Sequence, residues 1–184
     1  EAHCATLAVP EDPTRPEGRS IELAIGWIPA DADEPEADPV LLLAGGPGQG
    51  ARASYPGTAA AFSDIRRKRH IVLVDQRGTG KSNLLDCPAA DTAESFDDSS
   101  MAALARDCLE RLRPRADLRF YTTGDAIRDL DAVRQALGVD KINLMGVSYG
   151  TRVAQQYALH HPQHTRTVLL DSVLPNTLTV GNLW

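Results

Sequence analysis

Gly146-Val147-Ser148-Tyr149-Gly150 is a Gly-x-Ser-x-Gly motif, and it directly follows the mostly apolar run Ile142-Asn143-Leu144-Met145. The apolar run predicts a strand, and the residues from about Tyr149 to His160 predict a helix. Glycines on both sides of the serine let the strand and the helix approach closely, so that a sharp turn exposes the serine hydroxyl. The motif therefore predicts Ser148 as a nucleophile. The same turn places the Tyr149 backbone N–H at a helix N-terminus, where it can donate to an oxyanion.

A glycine-rich loop follows an earlier apolar run. The residues of Val40-Leu41-Leu42-Leu43-Ala44 are continuously apolar, as in strands covered on both faces of a parallel sheet, and they lead into Gly45-Gly46-Pro47-Gly48-Gln49-Gly50. A tetrahedral intermediate at Ser148 needs a second N–H donor, which commonly comes from such a loop. We expect Gly46 to supply it, because Pro47 has no N–H. Without the serine motif, an ordinary tight turn would be the simpler interpretation.

The remaining periodicity predicts alternating strands and helices. Ile21–Ile28 has apolar residues at every second position, as in a half-buried strand, whereas Ile71–Val74 is continuously apolar. Four helices are predicted: from the glycine-rich loop to about residue 69, over 101–112, from Thr122 to Gly138 and over 149–160. Further strands are predicted over 142–147 and 168–171. The other segments are an irregular or edge segment at 1–20 and a polar loop at 83–100. This alternation is typical of an α/β fold with a mostly parallel sheet flanked by helices.

Two segments imitate phosphate-binding motifs. Gly80-Lys81-Ser82 resembles the end of a P-loop, but Asp75 stands where that motif requires its first glycine, so this interpretation fails. Gly46–Ala51 fits a loose Gly-x-Gly-x-x-Ala after a strand, and Asp75 ends the next strand, where a ribose-binding acid would stand. A dinucleotide-binding oxidoreductase is therefore an alternative. It leaves the serine motif unexplained, however, and Pro47 removes a phosphate donor.

Composition excludes several classes of protein. The 184 residues include 19 Lys and Arg against 25 Asp and Glu, a net charge of −6, and with 42% hydrophobic residues the chain is not a disordered protein. The acidic balance argues against a nucleic-acid partner, and the basic cluster Arg66–Arg69 falls at a predicted helix C-terminus, which favours positive charge. No apolar run approaches the roughly 20 residues that span a membrane. Because the chain opens with Glu1 and nothing near it resembles a signal peptide, we expect processing there.

The cysteines Cys4, Cys87 and Cys108 show no metal-binding spacing, so no metal is expected. A bridge between Cys87 and Cys108 would close a loop of about 20 residues, worth about 3 kcal/mol on the chain-entropy model. We expect this disulfide, and with it a periplasmic or secreted protein, while Cys4 stays unpaired or finds a partner outside these residues. The alternative is three free thiols in a cytoplasmic protein.

Three blocks together resemble the α/β-hydrolase fold, and more narrowly the group of proline iminopeptidases and tripeptidyl aminopeptidases. These blocks are Val40–Gly50, Asp75-Gln76-Arg77-Gly78-Thr79-Gly80-Lys81-Ser82 and Gly146–Gly150, and the resemblance covers about residues 4–180. Enzymes of this group release residues or short peptides from free peptide N-termini, and many tripeptidyl members are exported. Their helical cap follows the sixth strand and carries acidic residues that hold the substrate's free amine.

By this resemblance Ser148 is the nucleophile of an acyl-enzyme mechanism, and Gly46 and Tyr149 lend N–H groups to its oxyanion hole. No cofactor is expected. The substrate would be a peptide or a small ester or amide, and a general esterase or amidase of the same fold is the alternative activity.

A base for Ser148 is not evident in the sequence. In this fold the triad runs Ser, then Asp or Glu, then His along the chain, and Asp171 is the one carboxylate residue after Ser148. A helix rising about 1.5 Å per residue would carry His160 about 18 Å from the serine. We interpret Asp171 as a fold-stabilising or substrate-side residue. We interpret all the histidines as structural or surface residues: His3, His70, His160, His161 and His164.

Two explanations fit a nucleophile without its base. The first is that residues 1–184 are the N-terminal part of one α/β-hydrolase domain, whose C-terminal strands and helical cap are missing from this chain. The second is a non-catalytic binding relative. The first is favoured, because a sheet that ended at Asp171 would leave an apolar edge bare.

Overall fold

The computed structural model describes residues 2–87 and 97–178. The strands in these ranges are β1 (His3–Pro10), β2 (Ser20–Ile28), β3 (Val40–Leu43), β4 (Ile71–Val74), β5 (Ile142–Val147) and β6 (Thr165–Asp171). They form one sheet in the order β1-β2-β4-β3-β5-β6. The four strands from β3 to β6 run parallel, whereas β1 and β2 are antiparallel to their neighbours. The mostly parallel sheet predicted from the sequence is confirmed.

Helices cover both faces of this sheet. They are α1 (Ala51–Thr58), α2 (Ser63–Arg66), α3 (Asp98–Leu112), α4 (Thr123–Ala136) and α5 (Tyr149–His160). A capping box begins α4, since Thr122 and Asp125 each accept the other's backbone N–H, and Gly138 ends the segment at φ +68°. Helix α3 begins before the predicted residue 101, because the Asp97 side chain caps it. Residues 88–96 of the predicted polar loop lie outside the described residues.

The prediction of one continuous helix up to about residue 69 is wrong. Helix α1 ends at Thr58, a 3₁₀ turn covers Ala59–Phe62, and α2 is a single further turn. Pro56 lies inside α1 and Gly57 follows it. Because neither residue favours a helix interior, the segment breaks at this point.

The apolar run of β3 is buried on both faces, as predicted. Leu41 and Leu43 belong to one core cluster, together with residues of α4 and α5, and Val40 and Leu42 belong to the other cluster, with residues of α1. All four side chains are buried. The central strands are therefore fixed in register by two separate cores, and the residues that follow each strand are held at one edge of the sheet.

The two outer strands differ from the sequence prediction. Residues 3–10 form a regular edge strand paired along its whole length with β2, where an irregular or edge segment was expected. Strand β6 starts at Thr165 rather than at Val168, and its side chains are largely exposed, with Leu169 53% accessible. Within the described residues β6 has one neighbouring strand, β5, so its other edge is unpaired.

The buried carboxylate of Asp131 joins the C-terminal parts of α4 and α5. Asp131 of α4 accepts hydrogen bonds from Tyr157 Oη at 2.9 Å and Arg134 Nε at 2.7 Å, and it lies 2.9 Å from Nδ1 of His164. Burial by itself would raise the pKa of Asp131. The hydrogen bonds from Arg134, Gln135 and Tyr157 outweigh burial and hold this pKa well below its ordinary value. The ionised carboxylate thus ties α4 to α5 and to the turn that precedes β6.

Candidate active site

Ser148 occupies the sharp turn between β5 and α5. Its backbone is in the left-handed region, at φ 53° and ψ −119°, and its side chain is exposed. A non-glycine residue in this region is strained, and such strain is common where a side chain is held for chemistry. The Ser148 N–H donates to the carbonyl of Asp171 at 2.9 Å, so the end of β6 fixes the turn. Thr151 closes it, since its hydroxyl donates to the Ser148 carbonyl at 2.6 Å.

The two glycines of the motif have no room for a side chain. A Cβ on Gly150 would lie 2.7 Å from the carbonyl carbon of Leu43 and closer still to its oxygen. A Cβ on Gly146 would lie 2.6 Å from the carbonyl carbon of Gly150. These contacts come from backbone atoms, which cannot rotate away. The motif therefore needs both glycines because the first turn of α5 rests directly on β3 and β5.

The glycine-rich loop lies beside the serine. We call residues Gly45–Gly50 the oxyanion loop, after the role that the sequence predicts for Gly46. A Cβ on Gly45 would lie 3.2 Å from Ser148 Cβ, so the start of this loop touches the serine. Gly46 follows at φ +106°, a backbone conformation that glycine tolerates and other residues rarely adopt. Tyr149 opens α5 on the other side of Ser148, so the structure brings all the predicted site residues to one edge of the sheet.

Asp75 anchors the far end of the oxyanion loop. Its side chain is 2% exposed and accepts the Arg52 N–H and the Lys81 N–H, each at 3.0 Å. Ser82 is also fully buried, where its hydroxyl donates to the Asp75 carbonyl at 2.6 Å and accepts from Ala24 N–H. The carboxylate that a dinucleotide site would need for a ribose is thus occupied by backbone N–H groups, and this counts against the oxidoreductase alternative.

Arg77, two residues after Asp75, is buried and has several hydrogen-bond partners that the sequence pattern does not predict. Its guanidinium forms a bidentate pair with Asp129 of α4, both bonds 2.7 Å long, and also donates to the carbonyls of Glu11 and Phe120. Burial opposes the charge of Arg77, but Asp129 outweighs it and raises the pKa of the guanidinium. Arg77 is the third residue after β4, and the sequence does not show which acid a buried arginine at this position will meet.

A cavity of about 130 Å³ opens beside the oxyanion loop. Pro47 and Gly48 form one wall, and Tyr121 and Tyr149 form another. Both tyrosine hydroxyls are engaged outside the serine turn, that of Tyr149 with Thr123 at 2.7 Å. Burial and the neighbouring Glu11 raise the pKa of Tyr121 to about 12. The Tyr121 hydroxyl is therefore neutral at neutral pH, and Arg77, which also lines the cavity, carries its positive charge there.

The histidines lie away from the serine turn. His70 stands at the amino end of β4, where its Nδ1 accepts the Ala30 N–H at 3.1 Å. His3 is on the edge strand β1, and His160 Nδ1 lies 2.8 Å from the Gln156 carbonyl within α5. Asp171 ends β6 at the same edge of the sheet as Ser148 and is exposed.

His161, His164 and Asp131 form a cluster whose potential ligand atoms lie within 4.8 Å of one another. A metal ion there would have to share the Asp131 carboxylate with the guanidinium of Arg134, which already binds it at 2.7 Å. Burial lowers the pKa of His161. We interpret the cluster as part of the hydrogen-bond network that joins α4, α5 and β6.

The segment after β6 is tied to the first turns of α5. Leu174 N–H donates to the Thr151 hydroxyl at 2.8 Å, and Gln155 Nε2 donates to the Leu174 carbonyl at 3.1 Å. The Arg152 guanidinium donates to the carbonyls of Pro175, at 2.8 Å, and of Leu178. Residues 172–178 therefore pack along the helix that follows Ser148.

The structure contains the predicted disulfide between Cys87 and Cys108, with Cα atoms 5.6 Å apart. Cys4 is free and exposed, and its sulfur accepts a hydrogen bond from Arg52 at 3.3 Å. Across the described ranges, no helix combines the length and the apolar character needed to cross a membrane.

Residues 38–183 match a family model described as the alpha/beta hydrolase fold. Among curated relatives, a tripeptidyl aminopeptidase of Streptomyces lividans is 32% identical over 189 residues, which cover 93% of this chain and 35% of the relative. A relative named serine protease Hip1, of Mycobacterium tuberculosis, is 30% identical over 196 residues, which cover 95% of this chain and 36% of the relative. The chain thus spans about a third of the length of the curated relatives it matches.

A solved structure of similar fold is that of the proline iminopeptidase of Mycobacterium smegmatis. It superposes with a TM-score of 0.57 at 21% identity, over 89% of this chain and 42% of the iminopeptidase. At this level of identity the likeness shows the fold alone.

Proposed function

The chain belongs to the α/β-hydrolase fold family, and on that basis we propose that the protein is a serine hydrolase, specifically an aminopeptidase that works through an acyl-enzyme. The observation that carries the proposal is the geometry of Ser148, an exposed serine in a left-handed turn between a buried strand and a helix N-terminus. The oxyanion loop lies against its Cβ. Such a turn presents a hydroxyl to a carbonyl carbon, with N–H donors beside it.

In the proposed reaction Ser148 Oγ attacks the substrate carbonyl carbon while a base takes its proton. The N–H groups of Gly46 and Tyr149 bind the negative oxygen of the tetrahedral intermediate. The C–N bond then breaks, and the base returns the proton to the departing amine. Water, deprotonated by the same base, hydrolyses the acyl-enzyme and releases Ser148. Groups acting in this order are the usual parts of nucleophilic acyl transfer.

We place the base and its acid in the part of the protein that these residues do not cover. The relatives are about three times as long as the matched region. His160 lies at the far end of α5, about 18 Å from the turn at about 1.5 Å per residue, which is too far for a hydrogen bond. Without a base Ser148 keeps a neutral hydroxyl, so we expect residues 1–184 alone to be inactive. Loss of a triad member leaves only about 10³–10⁴-fold catalysis over water, far below the roughly 10⁶–10¹⁷-fold of intact enzymes.

A covalent label tests the nucleophile. Full-length protein, its Ser148→Ala variant and a Ser63→Ala variant are treated with a fluorophosphonate, and the adduct is measured by intact mass. Ser63 is a suitable control because it is exposed on α2. We expect one adduct on the wild type and on Ser63→Ala and none on Ser148→Ala. Equal labelling of all three would refute the assignment, and no labelling of any would favour the non-catalytic relative.

The specificity for free N-termini rests on the names of the relatives, which include a tripeptidyl aminopeptidase and proline iminopeptidases. A panel of fluorogenic amides tests it: free-amine Pro, Ala and tripeptide substrates, their N-acetylated twins and a short-chain ester. We expect turnover of the free amines and loss of turnover on acetylation. Equal rates for both forms would instead indicate the general esterase or amidase.

We also propose a periplasmic or extracellular location, because disulfides persist in oxidising compartments. The supporting observation is the Cys87–Cys108 bridge. Peptide mapping without reductant, on protein from its native compartment, tests this. Two freely alkylated thiols at these positions would contradict the proposal.

A further inference from the structure

We propose that Asp75 is a positioning residue for the oxyanion hole: it holds the far end of the oxyanion loop so that Gly46 stays in place beside Ser148. The inference rests on the function proposed above, because it assigns a role within the same site. The near end of the loop needs no such anchor, since Gly45 follows β3 directly and touches Ser148.

The far end of the loop lacks a cap of its own. Gly50 is the N-cap of α1, has no side chain, and no acidic residue occupies the first turn. A helix N-terminus normally receives a side-chain oxygen from the N-cap residue, which accepts the N–H two or three positions on. Here Asp75 supplies that oxygen from the end of β4: its Oδ1 accepts the N–H of Arg52, two residues after Gly50, at 3.0 Å. The negative charge also suits the positive end of the α1 dipole.

The second carboxylate oxygen fixes a different segment. Oδ2 of Asp75 accepts the Lys81 N–H at 3.0 Å, from the loop after β4. The guanidinium of Arg52 lies 4.0 Å from the same oxygen. One buried carboxylate therefore joins the start of α1 to the loop after β4, and both segments border the oxyanion loop.

Two glycines are shaped around this carboxylate. A Cβ on Gly50 would lie 2.9 Å from Asp75 Oδ1, and one on Gly80 would lie 3.1 Å from Asp75 Cβ and closer still to the carboxylate. Gly50 has an ordinary extended backbone, at φ −80° and ψ 131°, so it is the space and not the conformation that calls for glycine there. The oxyanion loop, the loop after β4 and Asp75 thus form one packed unit.

Loss of the Asp75 anchor should weaken stabilisation of the transition state and leave substrate binding nearly unchanged. Removing a whole oxyanion-hole donor costs about 10²–10³ in kcat. Asp75→Asn keeps one acceptor oxygen but places an amide NH2 against the other backbone N–H, so it loosens one of the two bonds that hold the loop. It displaces Gly46 without deleting its N–H, so the loss is smaller. For Asp75→Asn we expect kcat per active site to fall about 10- to 100-fold and KM to change less than about threefold.

The experiment uses full-length protein and counts active sites first, by fluorophosphonate titration, so that misfolded molecules do not enter kcat. It compares wild type with Asp75→Asn and with Asp64→Asn, an exposed acid on α2 as the matched control. The affinity for a peptide boronate, which forms a tetrahedral adduct on a nucleophilic serine, is measured beside that for the peptide product. We expect Asp75→Asn to weaken boronate binding about 10-fold or more, to leave product binding unchanged, and to differ from Asp64→Asn in both kcat and boronate affinity.

A purely structural role would lower the unfolding midpoint and the titrated fraction, but leave kcat per titrated site and boronate affinity as in wild type; that result overturns the inference. If Asp75→Asn does not fold, Gly50→Ala takes its place, because its Cβ pushes on the same carboxylate, and the same readouts apply. Ser148→Ala distinguishes a failure of the proposed function from a failure of the role proposed for Asp75. Turnover by Ser148→Ala would overturn the proposed function, whereas an inactive Ser148→Ala beside an unaltered Asp75→Asn would overturn this inference alone.

Discussion

A methyl group at Gly150 should disable the turn that carries Ser148. The new Cβ would lie 2.7 Å from the Leu43 carbonyl carbon and 2.8 Å from the Ala44 oxygen. Carbon atoms in good contact are about 3.5–4.0 Å apart, so α5 has to move away from β3 by about 1 Å. Overpacking of this kind costs about 1–3 kcal/mol of unfolding free energy. A displacement of about 1 Å at a reacting group costs about 100-fold in rate.

The test is Gly150→Ala in full-length protein, with Gly57→Ala as the matched control. Gly57 lies near the end of α1, and nothing is within 4 Å of a Cβ placed there. We expect Gly150→Ala to lower kcat/KM about 100-fold on a fluorogenic amide and to lower the urea midpoint. Gly57→Ala should keep wild-type activity and gain up to about 1 kcal/mol of stability. If the two variants have equal activity and equal midpoints, the reasoning from backbone contact is wrong.

Three further predictions concern stability. Arg77→Leu leaves Asp129 buried without its partner, so we expect urea unfolding to show a loss of about 3–5 kcal/mol in unfolding free energy. Arg77→Leu combined with Asp129→Leu should recover part of that loss. An Arg77→Leu variant as stable as wild type would contradict this. The depressed pKa of Asp131 means that its ionised form stabilises the fold above pH about 3.9 and that this contribution is lost as the pH falls below that value. Because the contribution declines gradually below pH about 3.9 and disappears only below the depressed pKa, Asp131→Asn should lower the thermal midpoint more at pH 7 than at pH 3. An equal loss at both values would refute the linkage. Replacing Cys87 and Cys108 by serine should lower the unfolding free energy by about 3 kcal/mol, whereas an unchanged midpoint would show that the bridge does not constrain the unfolded chain.

Local pattern was enough to predict the interior of the sheet. The apolar run at 71–74, which is fully buried, and the mostly apolar run at 142–147, which is buried or half-buried, are strands with the predicted bounds. At the edges the pattern was weaker. Strand β1 carries apolar residues at alternate positions, but only Val9 is buried, and the charged and proline-rich residues that follow concealed the alternation.

The residues of the site also divide into those that a local motif predicts and those that depend on contacts distant in sequence. The turn at Ser148 could be predicted because five consecutive residues determine it. The role of Asp75 could not, because its partners Arg52 and Lys81 meet it only when β3 and β4 lie side by side. The pair of Arg77 with Asp129 joins residues 52 positions apart, and sequence alone does not say which acid a buried arginine will meet.

The hydrogen bonds between α5 and the residues after β6 set where the protein can be divided. Ser148 N–H is held by Asp171, and Thr151 and Arg152 are held by the backbone of the segment that ends at Leu178. That segment is therefore held to the turn at Ser148 by hydrogen bonds, although it follows the last strand of the described residues. A chimera that exchanges the region beyond the sheet keeps the turn intact when its junction lies after Leu178. A junction directly after Asp171 would remove the hydrogen bonds that hold the first turns of α5, the helix that follows Ser148.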